Sequence, residues 1–248
     1  MAVSVDLAFG ARGAHRIMFA ALTGADERAG ADAGAMLARL ALEEDGAVSG
    51  DALRELPVGD RDRALAALYG ALYGDDIIAD AVCIACAARY EIRFDLAELA
   101  ASRRPDGSAS GEPPAIALGR SKVRLPRWSD ITGSPATLLA RLTLSGPVPA
   151  AEPAARAIEA ADPSLELDLA ATCPECRAAQ MVPFSMTAFI EAALRRDRAF
   201  LVREVHLLAS TYRWSHAEIL SLTRAERQSY ARLLIGERET AQPLRRVS

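Results

Sequence analysis

The sequence predicts an α+β fold, with helical N- and C-terminal parts around a small, split pair of hairpins. Three observations lead there. Apolar residues recur at helical spacing up to Tyr73 and again from Thr187 to Ile235. Two segments, around Tyr90-Ile92-Phe94 and Leu165-Leu167-Leu169, switch to strict alternation with Glu91, Arg93, Glu166 and Asp168, the period of a half-buried strand. Each alternating segment adjoins a Cys-x-x-Cys pair.

The N-terminal region, residues 1–76, reads as helical. His15 to Leu22 and Ala33 to Leu42 carry apolar side chains at helical spacing, and the turn-rich Gly46 to Gly50 separates them from Leu53 and Leu56. Pro57 and Gly59 stop what precedes, and Asp60 reads as the N-cap of a helix striped by Leu65, Leu68, Tyr69, Leu72 and Tyr73. Gly74-Asp75-Asp76 ends it.

Residues 77–185 hold the two hairpins, with Val182-Pro183-Phe184 just past the second cysteine pair and residues 102–163 inserted between the hairpins. Within the insertion, Ser102 to Pro114 is a flexible loop by composition, and Val123 with Leu125 suggests a short strand. Ser134-Pro135 starts a helix with proline at its first position, leading to Leu138, Leu139 and Leu142. After a break at Gly146 to Pro149, an alanine-rich helix ends near Asp162-Pro163.

The C-terminal module, 186–236, has the clearest punctuation. One long helix is predicted from about Thr187 to Tyr212. Two capping boxes, Ser215 with Glu218 and Thr223 with Glu226, open short helices over His216 to Ser221 and Arg224 to Ile235. Gly236 closes the last helix, and residues 237–248 read as a flexible tail.

The chain has 51% hydrophobic and 25% charged residues, an ordinary globular balance long enough for one or two domains. A net charge of −4 argues against whole-surface attraction to nucleic acid. The charge is uneven: residues 186–248 contain 11 Arg against 7 Asp plus Glu, leaving an acidic front and a mildly basic rear. Met1 to Gly13 lacks a basic stretch followed by a long apolar one and so does not read as a secretory signal, and no apolar run approaches the ~18 residues of a membrane helix. The expectation is a cytoplasmic protein with no membrane partner.

In a reducing compartment, closely paired cysteines read as metal ligands or redox centres before they read as disulfides. All four cysteines fall into two pairs of identical spacing, Cys83/Cys86 and Cys173/Cys176. Two residues between thiolates allow a turn that grips one metal with both sulfurs. Two such turns facing each other supply the tetrahedral all-thiolate set that zinc prefers, and make the hairpins a split zinc ribbon. Four protein ligands leave no coordination position open, so one structural zinc is expected. The 86 residues between Cys86 and Cys173 far exceed the roughly 15 to 20 of a compact ribbon, so the fold itself must bring the pairs together. Ala87 and Arg177 stand where a glycine would ease the turn by taking positive φ. The alternatives are unligated buried thiols or a thioredoxin-like redox pair, although the latter expects a thiolate opening a helix rather than a hairpin.

No nucleophile elbow or phosphate-binding loop occurs, and His15, His206 and His216 form no catalytic pattern, so the expectation is not an enzyme. Arg224, Arg227 and Arg232 on the last helix keep a nucleic-acid-binding zinc-ribbon regulator as the runner-up, with a thiol oxidoreductase third.

Several blocks of the chain resemble a known family. They are Leu56-Pro57-Val58-Gly59-Asp60-Arg61-Asp62, Val123-Arg124-Leu125-Pro126, Arg203-Glu204-Val205-His206-Leu207-Leu208-Ala209, and above all Trp214-Ser215-His216-Ala217-Glu218-Ile219-Leu220-Ser221-Leu222. Together with the two cysteine hairpins they resemble the T4-type baseplate hub assembly chaperones, encoded beside contractile tails and injection systems. The likeness spans about residues 50 to 236. It implies non-enzymatic help in building a baseplate or hub through contacts with tail-like particle proteins. It also implies zinc on Cys83, Cys86, Cys173 and Cys176, and a helical module of unassigned role over residues 203–222.

Overall fold

The structure, a computed structural model, describes residues 4–11, 14–43, 46–105, 113–131 and 134–241. Helix and strand are mixed, as an α+β reading requires. The described residues fall into two compact units, one built from Met1–Phe19 and Ala41–Ile190, the other from Ala20–Leu40 and Glu191–Ser248.

The first unit opens with an antiparallel four-stranded sheet in the order β1-β2-β3-β4: β1 Ser4–Ala11, β2 Ala14–Phe19, β3 Ala41–Glu43 and β4 Gly46–Ala47. This corrects the helical reading of residues 1–76 over the segments up to Phe19 and around Ala41–Ala47, while Ala33–Leu40 and Val58–Tyr73 are helical as expected. The stretch from His15 is a strand because Ile17 and Phe19 are buried while Arg16 is exposed, and so few residues fit either period. Between β2 and β3 the chain forms α1 Gly24–Ala29 and α2 Ala33–Leu40, which belong to the second unit. Then follow α3 Gly50–Arg54, α4 Val58–Tyr73, β5 Asp76–Val82, β6 Arg89–Asp95 and α5 Leu96–Ser102.

The inserted segment is more structured than its composition suggests. β7 Ile116–Leu118, β8 Ser121–Val123 and β9 Thr143–Ser145 make a three-stranded sheet. A 3-10 turn at Trp128–Asp130 and helix α6 Pro135–Leu142, capped by Ser134, lie between β8 and β9. Helix α7 Ala151–Ala161 precedes the second hairpin, β10 Glu166–Thr172 and β11 Ala179–Ser185. The centre of the predicted flexible loop, residues 106–112, lies outside the described residues.

Helix α4 holds this unit together through charge. Its first half is buried on every side, including the run Asp60, Arg61, Asp62 and Arg63. Asp60 is not the N-cap expected from the sequence: the helix starts at Val58, and the Asp60 carboxylate reaches β1 instead. It accepts from the backbone N–H groups of Ala8 at 2.6 Å, Phe9 at 2.9 Å and Gly10 at 2.8 Å. Arg63 bridges Asp60 at 3.0 Å to Asp162 at 2.7 Å, and Asp162 accepts from the Gly59 N–H at 2.8 Å. Asp62 accepts from Arg61 and, at 2.9 Å, from the N–H of Leu165 at the foot of β10. Buried charges are tolerated when paired and hydrogen-bonded like this.

Gly59 is required by the same packing. A Cβ there would lie 2.1 Å from Asp162 Oδ1 and 2.8 Å from the Pro163 carbonyl oxygen. We expect Gly59→Ala to destabilise the chain by about 3 kcal/mol, from overpacking plus loss of the Asp162 contact. A urea titration with an unshifted midpoint would show that α7 can move aside.

In the second unit, α1 is capped by a Thr23–Asp26 box, and the strand-like bridge Thr23–Thr223 ties its start to the C-terminal helices. Helix α8 Met186–Tyr212 begins in the first unit and enters the second at Glu191. Helices α9 His216–Ser221 and α10 Arg224–Ala241 follow. Both predicted capping boxes form: Ser215 N–H donates to Glu218 at 2.7 Å and Thr223 N–H to Glu226 at 2.9 Å. Helix α10 continues through Gly236 into the predicted tail as far as Ala241, and residues 242–248 lie outside the described residues. The fully buried Arg227 donates to Glu27 at 2.9 Å and to Glu204 at 2.7 Å. Leu208, Ile219 and Leu234 form the apolar centre between α8, α9 and α10.

Trp214 stacks on Tyr212 at 4.8 Å between ring centroids and meets the Tyr230 ring edge-on at 5.1 Å. We expect Trp214→Ala to lower stability by about 2 kcal/mol, less than for a fully buried tryptophan because the ring is only half-buried. Thermal melting of the full chain measures it; an unchanged curve would mean the ring contributes no packing.

Among the described residues no helix is long and apolar enough to cross a membrane.

Candidate metal centre

Both hairpins pair in unbroken antiparallel register. Val82 lies opposite Arg89 and Asp76 opposite Asp95 in the first; Thr172 lies opposite Ala179 and Glu166 opposite Ser185 in the second. The turn at each tip carries one cysteine pair. In both, the first cysteine closes the turn: Cys83 N–H donates to the Ala88 carbonyl at 2.9 Å and accepts at its own carbonyl from Ala87 N–H at 2.9 Å. Cys173 does the same with Ala178 at 2.9 Å and Arg177 at 3.0 Å.

The turns also account for the missing glycines. Ala87 has φ 58° and Arg177 has φ 62°, the left-handed conformation glycine would have supplied. Such a position costs a non-glycine residue on the order of 1 kcal/mol, so the turn must be held by something stronger than its own preference.

The structure brings all four predicted cysteines together: their sulfurs lie within 4.8 Å of one another. Cys83 Sγ is 3.6 Å from Cys176 Sγ, and Cys86 Sγ is 3.8 Å from Cys173 Sγ. These distances are far beyond the roughly 2.05 Å of a disulfide, and all four thiols are free. Cys83 and Cys173 are buried, whereas Cys86 and Cys176 are exposed. Four cysteines so placed could hold a metal ion.

The two halves of the site are copies. Adding 90 to each residue number of the first ββα segment gives the second: β5 maps onto β10, Cys83 and Cys86 onto Cys173 and Cys176, β6 onto β11, and the first residue of α5, Leu96, onto Met186 of α8. The close sulfur contacts interchange under this mapping, since Cys83–Cys176 becomes Cys173–Cys86. Equivalent side chains meet each other as well. Phe94 packs edge-on against Phe184 at 5.3 Å, and Gln180 donates to the hydroxyl of its counterpart Tyr90 at 2.8 Å. Contacts between equivalents are the signature of a local two-fold axis, here running through the sulfur cluster.

Sequence reasoning missed this repeat and, with it, Gln180. That side chain is buried and bridges the hairpins, donating to the Val82 carbonyl at 3.1 Å and accepting from Ile84 N–H at 2.9 Å. The identities across Asp76–Leu96 are Ala81, Cys83, Cys86, Ala88 and Phe94, too few to stand out except that the two cysteine pairs sit at the same offset.

Electrostatics at the cluster are asymmetric. Backbone N–H groups of Cys86 and Ala85 point at the Cys83 sulfur, the latter at 3.4 Å, and bring its thiol down to about 6. At Cys86 the N–H of Ala88 pulls the same way, but the sulfur of Cys176, burial and the sulfurs of Cys83 and Cys173 leave it pushed up to about 12. A thiolate is therefore readily formed at Cys83, and a second at Cys86 is opposed by its sulfur neighbours and by burial. A bound cation removes that opposition, which is why this donor set suits a metal.

Comparison of the chain with protein-family models, with characterised proteins and with solved structures finds no match.

Proposed function

We propose that the chain is a non-enzymatic assembly factor, a chaperone or scaffold for the baseplate hub of a phage-tail-like contractile injection system, pinned by one structural zinc. The observation that carries the reading is the convergence of four sulfurs across 86 intervening residues. Zinc–sulfur bonds of about 2.3 Å in a tetrahedron require sulfurs about 3.8 Å apart. The contacts at 3.6 and 3.8 Å fit that edge. Cys83, Cys86, Cys173 and Cys176 would hold the ion, completing a split zinc ribbon. Bound there, zinc supplies folding energy and no reactive position, because four protein ligands close the shell.

The contractile-tail assignment rests on the resemblance, and the residues that carry it have structural work in this chain. Gly59, Asp60 and Asp62 anchor the buried charge network, while Ser215 and Glu218 cap α9. Scaffolding, rather than chemistry, is what such positions support. Among the arginines weighed for nucleic-acid binding, Arg224 pairs with Glu27 and Asp197, and Arg227 with Glu27 and Glu204, which leaves little cation for phosphate. Cys83, the thiol brought low, is the buried member of its pair, unsuited to attack on an outside disulfide. A reducing, cytoplasmic setting suits an all-thiolate centre.

The test is co-expression with hub and spike subunits encoded beside the chain. Their soluble yield should rise and a complex should co-elute on size exclusion. Unchanged yield with no co-elution from any neighbouring subunit would sink the assembly reading.

A further inference from the structure

Within the unit built from Ala20–Leu40 and Glu191–Ser248, helices α8 and α10 leave an open groove of about 390 Å³ between them. Its apolar floor comes from Phe200 and Leu207 on α8 and from Ala231 and Ile235 on α10. These residues stand one or two turns apart, so each helix presents one continuous stripe. Phe200 is 52% exposed and Ile235 48%. None of the four cysteines lines the groove.

Charge says what kind of occupant fits. Arg203 and Arg232 stand on the two walls. Arg203 lies over the Phe200 ring at 6.0 Å, and Arg232 donates only to the Gln228 carbonyl of its own helix at 3.2 Å. Among the described residues neither has a carboxylate partner. On the same two helices Arg195, Arg196, Arg224 and Arg227 pair with acids, whereas Arg198, which does not line the groove, has no ion pair among the described residues. Glu204 also lines the groove, but its carboxylate accepts from the buried Arg227. The groove is thus an apolar trough with two uncompensated cations, one on each wall.

We propose that this groove receives an amphipathic helix of a partner protein, with apolar anchors at i, i+3 or i+4, and i+7 filling the floor and flanking Asp or Glu meeting Arg203 and Arg232. Helix-in-groove recognition takes its affinity from such anchors, and rim charges select the partner. The inference rests on the reading of the chain as a protein-binding assembly factor and names the chemistry of what it binds. Nucleic acid is disfavoured because stacking bases on the floor would still leave only two cations for a string of phosphates.

The experiment uses the full, zinc-loaded chain and fluorescence anisotropy. The probes are a fluorescein-labelled model helix with Leu anchors flanked by Glu, the same helix with Lys in place of Glu, and duplex DNA. The Glu helix should bind, and the Lys helix should bind about tenfold more weakly or worse. Phe200→Ser with Ile235→Ser should weaken the Glu helix by about tenfold or more, with the melting curve confirming that the chain still folds. Arg203→Glu with Arg232→Glu should transfer the preference to the Lys helix, a reversal that misfolding cannot produce. Equal affinity for both helices, no binding of the Glu helix, or DNA binding abolished by the double charge reversal would each overturn the proposal.

Co-expression separates the two ideas. If the Arg203→Glu/Arg232→Glu chain still rescues hub subunits, the groove is not the docking site and the assembly reading stands. If the natural chain binds the Glu helix but rescues no neighbouring subunit, the groove stands and the assembly reading falls.

Discussion

Metal analysis of the untagged, purified chain is expected to give one zinc per molecule, and stripping it should unfold both hairpins. The reason is the size of the core behind the site. Its buried residues are Ala81, Cys83, Tyr90 and Cys173, with Ala88, Ile92, Ala171, Ala178 and Val182 only partly buried around them. Alanine and cysteine bury little apolar surface, and two-stranded hairpins are marginal alone. Metal bound by such small sites contributes on the order of 10 kcal/mol of folding free energy, enough to dominate this part of the chain. The same ion would stabilise the left-handed Ala87 and Arg177, because the turns that need them are the turns that hold the ligands.

Each single Cys→Ser variant should therefore lose zinc, aggregate and melt well below the natural chain, with the buried Cys83 and Cys173 affected most. Hydrogen exchange would localise the loss to residues 76–95 and 166–185. Metal uptake should also fail on acidification, because every ligand must be deprotonated and protons compete with the ion. A metal-free chain with full exchange protection in both hairpins would overturn the zinc assignment. It would leave four thiols clustered for packing alone.

Which features could be read from the sequence follows from where the deciding forces lie. The caps at Ser134, Ser215 and Thr223 and the alternation in β6 and β10 were legible because they are local: a side chain bonds its own backbone three residues on, or points to one face. The cysteines were legible because all four fall into two pairs of identical spacing, a pattern visible without the fold. The strand at Ala14–Phe19 was not, since its six residues fit a helical stripe and an alternation about equally, and pairing with β1 and β3 decided between them. Asp60 reads as a cap by residue type, and only the fold reveals the three amides of β1 that claim its carboxylate. Gly236 read as a stop, but a glycine ends a helix by turning left-handed, and its position in α10 does not.

The largest effect outside the metal centre is expected at Asp60. Asp60→Ala leaves the N–H groups of Ala8, Phe9 and Gly10 without their acceptor and leaves Arg63 with Asp162 as its one carboxylate. Removing one partner from a buried charge pair costs about 3–5 kcal/mol, and unsatisfied buried amides add to it, so a loss of about 5 kcal/mol is expected. Asp60→Asn should rescue little, because both carboxylate oxygens accept, Oδ1 from Ala8 and Arg63 and Oδ2 from Phe9 and Gly10, so the amide NH2 would face a donor whichever way it turned. Arg63→Ala is damaging for a different reason: it leaves Asp60 and Asp162 buried and facing each other without the cation between them. Because the two variants dismantle one network, their effects should fall well short of additive in a double-mutant cycle. Chemical denaturation of the two singles and the double measures this. Additive losses would mean that Asp60 holds β1 and Arg63 holds Asp162 as separate contacts, and that the buried charges of α4 do not act as one brace.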